Sequence, residues 1–137
     1  MDELTKRTYI RLHLERARDD LSIARDNLKF DHFRGAANRV YYTIFHAASA
    51  ALLWLGIERS RHSGIQAAFS QFLVKSGPIE PKYSKIYTKA QKLREEQDYD
   101  LTADSLSEEE IQQLVDEAEQ FLFRIEQYLE QAGATRE

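Results

Sequence analysis

The sequence predicts an all-α fold, an antiparallel bundle of four to five helices. Three observations carry that expectation. Apolar residues recur at three- and four-residue spacing along most of the 137 residues, and no stretch alternates as a strand would. Glycine and proline are scarce, five and two, and most stand at the proposed helix boundaries. Two serines, Ser63 and Ser107, are followed three residues later by Gln66 and Glu110, the spacing of a capping box.

The first helix is expected from about residue 3 to 29, with Tyr9, Leu12, Ala17, Leu21, Ala24 and Leu28 on its inner side. Asp31 is the expected N-cap of a second helix, about 32 to 55, and Gly56 its stop signal. This second helix is apolar nearly all round and rich in alanine, so it should lie deepest in the bundle and let its neighbours approach closely. After "RSRHSG", a third helix carries Ile65, Phe69, Phe72 and Leu73, and "SGP" at 76–78 ends it. Pro81 suits the first position of a fourth helix, about 81 to 97, with Tyr83, Ile86, Tyr87, Ala90 and Leu93 inward. The stretch "DYDLTADSLS" reads as a loop. The last helix, about 108 to 132, has the strongest period: Ile111, Leu114, Val115, Ala118, Phe121, Leu122, Ile125 and Leu129. Residues 1–132 thus form one domain, and 133–137 a short polar tail.

Composition narrows the function classes. There are no cysteines, which excludes disulfides, thiolate chemistry and cysteine-based zinc sites. His13, His32 and His62 show no metal-ligand spacing with one another, so neither a metal nor another cofactor is expected. No apolar run is long enough to span a bilayer, and the N-terminus is charged throughout, so a cytoplasmic protein is expected. The net charge of −4 is uneven. Residues 1–99 carry 17 Lys/Arg against 12 Asp/Glu, and residues 100–137 carry 2 against 11. Such a chain can offer a basic body to an anion and an acidic helix to a basic partner, or simply solvate the acidic face.

Polar residues inside the greasy second helix raise the sharpest question. Arg39, Tyr42, His46 and Ser49 stack along one side, with Asn38 at the edge. A buried arginine needs a carboxylate, a group of acceptors or a cleft open to water. Glu95, Glu96, Asp98 and Asp100 are the expected partners. Two readings stand. The stripe is a buried ion pair beside a neutral core histidine, or it lines a groove. In a groove, Arg39 would hold a phosphate and His46 would move a proton, enough to cleave RNA from its own 2′-hydroxyl without a metal. A second group is Arg94, Asp98 and Tyr99 in "KLREEQDYD", for which the plain reading is an exposed i,i+4 ion pair. Lys82, Lys85, Lys89 and Lys92 make a row that could neutralise phosphates, or merely face solvent. His62, with Arg59 and Arg61, is a further candidate for binding an anion.

Taken together, "AANRVYYTIFHAASALL", "RHSGIQAAFSQFLVKSG" and "KLREEQDYD" resemble the HEPN domain family, most of all its small stand-alone bacterial and archaeal branch. The family pattern falls on Asn38, Arg39, Tyr41, Tyr42, Phe45 and His46, on His62, Ser63 and Gly64, and on Arg94, Asp98 and Tyr99, and it covers about residues 5 to 130. The resemblance implies a helical bundle that pairs as a homodimer. It also implies a co-encoded minimal nucleotidyltransferase in a two-gene toxin–antitoxin module, with this chain as the toxin-like component. In active branches that component is a metal-independent endoribonuclease, whose signature is an arginine, four to six residues, then a histidine. After Arg94 those positions hold Tyr99, Asp100 and Leu101. Arg39 and His46 have the spacing, but in an earlier helix. The alternative is a non-catalytic module that dimerises and docks a nucleotidyltransferase, or binds nucleotide or RNA.

Overall fold

The computed structural model describes residues 1–99 and 107–136. Among them the chain forms five α-helices and one π-helical segment, and no strand: α1 (Glu3–Lys29), α2 (Phe33–Trp54), α3 (His62–Ala68), the π segment (Phe69–Lys75), α4 (Pro81–Tyr99) and α5 (Glu108–Gln131). None of these helices is long and apolar enough to cross a membrane.

Asp2 caps α1, its carboxylate accepting from the Thr5 N–H at 2.7 Å. The buried stripe of α1 is Ile10, Leu14, Ala17, Asp20 and Ala24. This corrects the expected face in its first half, where Tyr9 and Leu12 are each 47% exposed. Sequence offered two apolar stripes there, and the packed one includes a charged residue that periodicity alone rejects.

α2 is the central helix, packed against α1, α4 and α5. Twelve of its residues are buried, Ala36, Ala37, Ala47, Ala48, Ala50 and Ala51 among them. Small side chains let three helices close on one axis, as the sequence implied. The α1–α2 corner differs from expectation. Asp31 does not cap α2; the cap position is His32, which makes no side-chain cap bond. Asp31 instead ends α1 at φ 60°, a left-handed conformation that aspartate tolerates. The N–H of Asp31 donates to Leu28 O at 3.1 Å and that of His32 to Asn27 O at 2.7 Å, which is a Schellman motif. Gly56 ends α2 in the same way at φ 74°, as expected.

No capping box forms at Ser63. Arg61 takes the cap position of α3, and the Gln66 amide donates across to the Thr88 hydroxyl of α4. The third helix is not α-helical to its end. It widens into the π segment, which turns Phe69 and Leu73 fully inward. α4 buries Tyr83, Ile86, Tyr87 and Ala90 and runs on to Tyr99. α5 begins at Ser107, whose hydroxyl accepts from the Glu110 N–H at 3.1 Å, and all eight expected residues are buried.

The charge asymmetry is answered in part inside the molecule. Arg18 pairs with Glu126, Arg25 with Glu119 and Asp116, and Lys89 with Glu117. The acidic face of α5 is thereby laced to α1 and α4. Such exposed pairs contribute little each, about 0–1 kcal/mol. Arg124 ties α5 to Glu80 and to the Pro78 carbonyl. The polar tail is also held: Ala134 is buried, and Arg7 donates to the carbonyl of Gly133.

One glycine is fixed by space. A Cβ on Gly77 would lie 2.5 Å from Leu73 O and 2.6 Å from Phe72 O, both backbone atoms that cannot yield. Gly77→Ala should therefore lower stability by ~1–3 kcal/mol, read as a shift of the urea midpoint at unchanged slope. A midpoint within error of the wild type would show that the end of the π segment relaxes freely.

Candidate functional site

α1 and α2 run antiparallel. His13 and Asp20 stand seven residues apart on α1, as do Arg39 and His46 on α2. The two pairs face each other. Arg39 Nη1 donates to Asp20 Oδ1 at 3.1 Å, and His13 Nδ1 lies 3.0 Å from His46 Nδ1. The partner of Arg39 is thus Asp20, not Glu95, Glu96 or Asp98; Asp100 lies outside the described residues. Asp20 is almost wholly buried, with its side chain 3% exposed, while that of Arg39 is 37% exposed. The carboxylate is inside and the guanidinium reaches from it to the surface. Asp20 Oδ2 has no hydrogen-bond partner among the described residues, and the nearest polar atom recorded beside it is His46 Nε2 at 3.9 Å.

Burial holds His46 well below its ordinary value, to about 4, with further lowering from His13, Arg16 and His62. The ring is therefore neutral near pH 7, and it faces Asp20 as a dipole, not as a cation. Burial also lowers His13. The expected stripe does border a cleft, of about 370 Å³, in which Asn38, Arg39, Tyr42 and His46 meet Asp20 and Arg16 of α1.

The second constellation lies against the same helix. The Arg94 guanidinium sits 4.5 Å from the centre of the Tyr41 ring and 5.3 Å from that of Tyr42. Its Nε is 3.5 Å from Asp98 Oδ2, and this nitrogen is buried with no hydrogen-bond partner among the described residues. His62 packs on Phe45, with centroids 4.3 Å apart, and lies 5.9 Å from Tyr42. Burial and the Arg94 charge lower its pKa. Tyr42 is thus the hub of the site. Arg39 is 5.8 Å from its ring and His46 6.3 Å, so two guanidiniums and two imidazoles surround one phenol.

Other candidates stay apart from this hub. Tyr99 is 81% exposed at the end of α4. Lys82, Lys85, Lys89 and Lys92 are exposed along α4, and Lys89 is taken up by Glu117. No recorded contact among the described residues joins that row to Tyr42. The sequence reading missed Asp20, Arg16 and the pairing role of His13. A signal was present: Asp20 falls at a buried position between Ala17 and Ala24, and it repeats the seven-residue spacing of Arg39 and His46.

The model of the HEPN domain matches residues 10–128. A protein of Methanocaldococcus jannaschii named "Putative toxin MJ0605" is 37% identical over 125 residues, covering 91% of this chain and 92% of its own. A "UPF0332 protein" of Thermotoga maritima is 35% identical over 125 residues, 91% of this chain and 94% of its own. A second M. jannaschii protein, "Putative toxin MJ0142", is 25% identical over 127 residues, 93% and 86% of the two chains.

Two outcomes follow from the geometry. Arg39→Ala strands a buried carboxylate and should cost ~2–4 kcal/mol, whereas the double change Asp20→Leu with Arg39→Met should cost less than the single one. Urea unfolding of the three chains measures this; a harmless single change would mean Asp20 reaches water. The second outcome concerns acid. A histidine held below its ordinary value of about 6.5 is protonated in the unfolded chain first. Stability should fall as pH drops from about 6.5 toward about 4, and His46→Gln should flatten that fall. Parallel pH profiles for the two chains would remove His46 as the cause.

Proposed function

The chain belongs to the HEPN domain family, and from that premise we propose that it is a toxin-like protein that cuts RNA without a metal. The observation that carries the reading is the ring of guanidiniums and imidazoles around Tyr42, where Arg39, Arg94, His46 and His62 arrive from three helices. A phosphodiester needs positive charge where the transition state gathers negative charge, and an acceptor for the 2′-hydroxyl proton. Guanidiniums supply the first at any physiological pH. A neutral imidazole supplies the second, and burial keeps the histidines here unprotonated. Asn38 and Tyr42 stand beside these groups and suit a polynucleotide backbone, whereas Asp98 pairs with Arg94 and gives way to an incoming phosphate. The names carried by the two M. jannaschii relatives support the toxin-like part of this reading.

The proposal extends to partners: a second copy of this chain, and a co-encoded minimal nucleotidyltransferase that would restrain it. One observation favours the other reading, a binding module without catalysis. The Arg39 guanidinium is already engaged by Asp20, so part of the apparent active group is structural.

Incubation of the purified chain with several RNAs in EDTA distinguishes the two. We expect cleavage that leaves 2′,3′-cyclic phosphate ends, reduced about 100-fold in Arg94→Ala. Intact RNA across all substrates, from a folded chain that still binds a nucleotidyltransferase, would establish the binding module instead.

A further inference from the structure

The ribonuclease reading needs a proton acceptor, and the seam between α1 and α2 singles one out. The His46 ring lies between two groups. Its Nδ1 is 3.0 Å from His13 Nδ1, and its Nε2 is 3.9 Å from Asp20 Oδ2. A neutral imidazole has one N–H to place. On Nδ1 it would leave the Nε2 lone pair facing a buried carboxylate oxygen that has no hydrogen-bond partner among the described residues. On Nε2 the N–H points at that oxygen. The distance is long for a hydrogen bond, so the carboxylate orients the ring through its field. His46 Nδ1 is then an acceptor, and His13 Nδ1–H is its donor. The remaining nitrogen of His13, Nε2, is left with a bare lone pair.

His13 also borders a different space from His46. It lines a cavity of about 560 Å³ with Phe45, Leu52, Arg59, Arg61 and His62. That volume suits a ligand the size of a nucleotide. The apolar wall fits a base, and Arg59 and Arg61, in no ion pair among the described residues, fit its phosphate.

We propose that His13 Nε2 is the base that takes the 2′-hydroxyl proton of an RNA nucleotide seated in this cavity, with His46 and Asp20 as positioning residues behind it. The proposal rests on the ribonuclease reading. In the step, the 2′-oxygen forms a bond to phosphorus and its proton passes to His13 Nε2. The positive charge stays on His13, whose Nδ1–H remains donated to His46 Nδ1, because burial makes the His46 ring a poor proton acceptor. The 5′-oxygen departs with the electron pair of the broken P–O bond and takes a proton from water. His13 then returns its proton to solvent, and the balance closes on a cyclic phosphate and a 5′-hydroxyl.

Nitrogen-15 spectra of the histidine rings test the arrangement directly. At about pH 7 the wild-type chain should carry the His13 proton on Nδ1 and the His46 proton on Nε2. Asp20→Asn keeps an oxygen for Arg39 and turns an N–H toward His46, so it should reverse both tautomers. A proton on His13 Nε2 in the wild type overturns the arrangement, and so do tautomers indifferent to Asp20→Asn. Should that variant not fold, the wild-type tautomers decide alone. His13→Gln should slow RNA cleavage about 100-fold, and an unchanged rate would refute the assignment. RNA left whole by the wild-type chain overturns the ribonuclease reading and the role of the cavity together. The tautomers still decide the arrangement, so the two failures are told apart.

Discussion

Asp20 is a carboxylate buried between two helices, and an ionised group in that place must be met by positive charge or by donors. Arg39 meets it from across the seam. The demand fixes more than one contact. Because α1 and α2 are antiparallel, a bond between Asp20 and Arg39 brings His13 opposite His46, two turns along each helix. A slip of either helix by one turn would break both contacts and leave the carboxylate unpaired. The pair thus sets the register of α1 against α2, and the imidazole pair follows from it.

The alanines of α2 have the complementary role. With small side chains inward on several sides, α1, α4 and α5 all approach one axis. On its remaining, less buried side α2 gathers Tyr42, Phe45 and His46. α3 delivers His62 onto Phe45, and α4 delivers Arg94 onto Tyr41 and Tyr42. A helix that is mostly core therefore presents one aromatic face, and that face is where charged groups from other helices converge.

The fold was legible in the sequence because burial by period is a local property. α5 shows all eight expected residues inside, and Gly56 stops α2 where a left-handed residue is needed. What was not legible depended on partners far along the chain. Asp31 carries the chemistry of an N-cap and of a left-handed terminator alike, and the packing of the α1–α2 corner chose the second. Ser63 and Gln66 had the spacing of a capping box, but Gln66 found Thr88 on another helix. In the site, Arg39 and His46 were visible as misfits on an apolar helix. Their partners were hidden because α1 is rich in charge, and one buried aspartate looks no different in sequence from its solvated neighbours. His13 was passed over because it was weighed as a metal ligand and not as the partner of another imidazole.

The two arginines beside Tyr42 are not equivalent, and the difference bears on any chemistry placed there. Arg39 holds a buried counterion at 3.1 Å, so much of its field is already cancelled, and an incoming phosphate would compete with Asp20 for it. Arg94 stands against tyrosine faces, which attract a cation without neutralising it, and its nearest carboxylate is Asp98, half-exposed and 3.5 Å away. A carboxylate at that distance on an accessible side chain is easily displaced by a phosphate, whereas Asp20 is not. Of these two arginines, Arg94 is therefore the one whose charge is less cancelled by its partner. Arg39 serves the site from behind, by pairing with Asp20 and fixing it where it can orient His46.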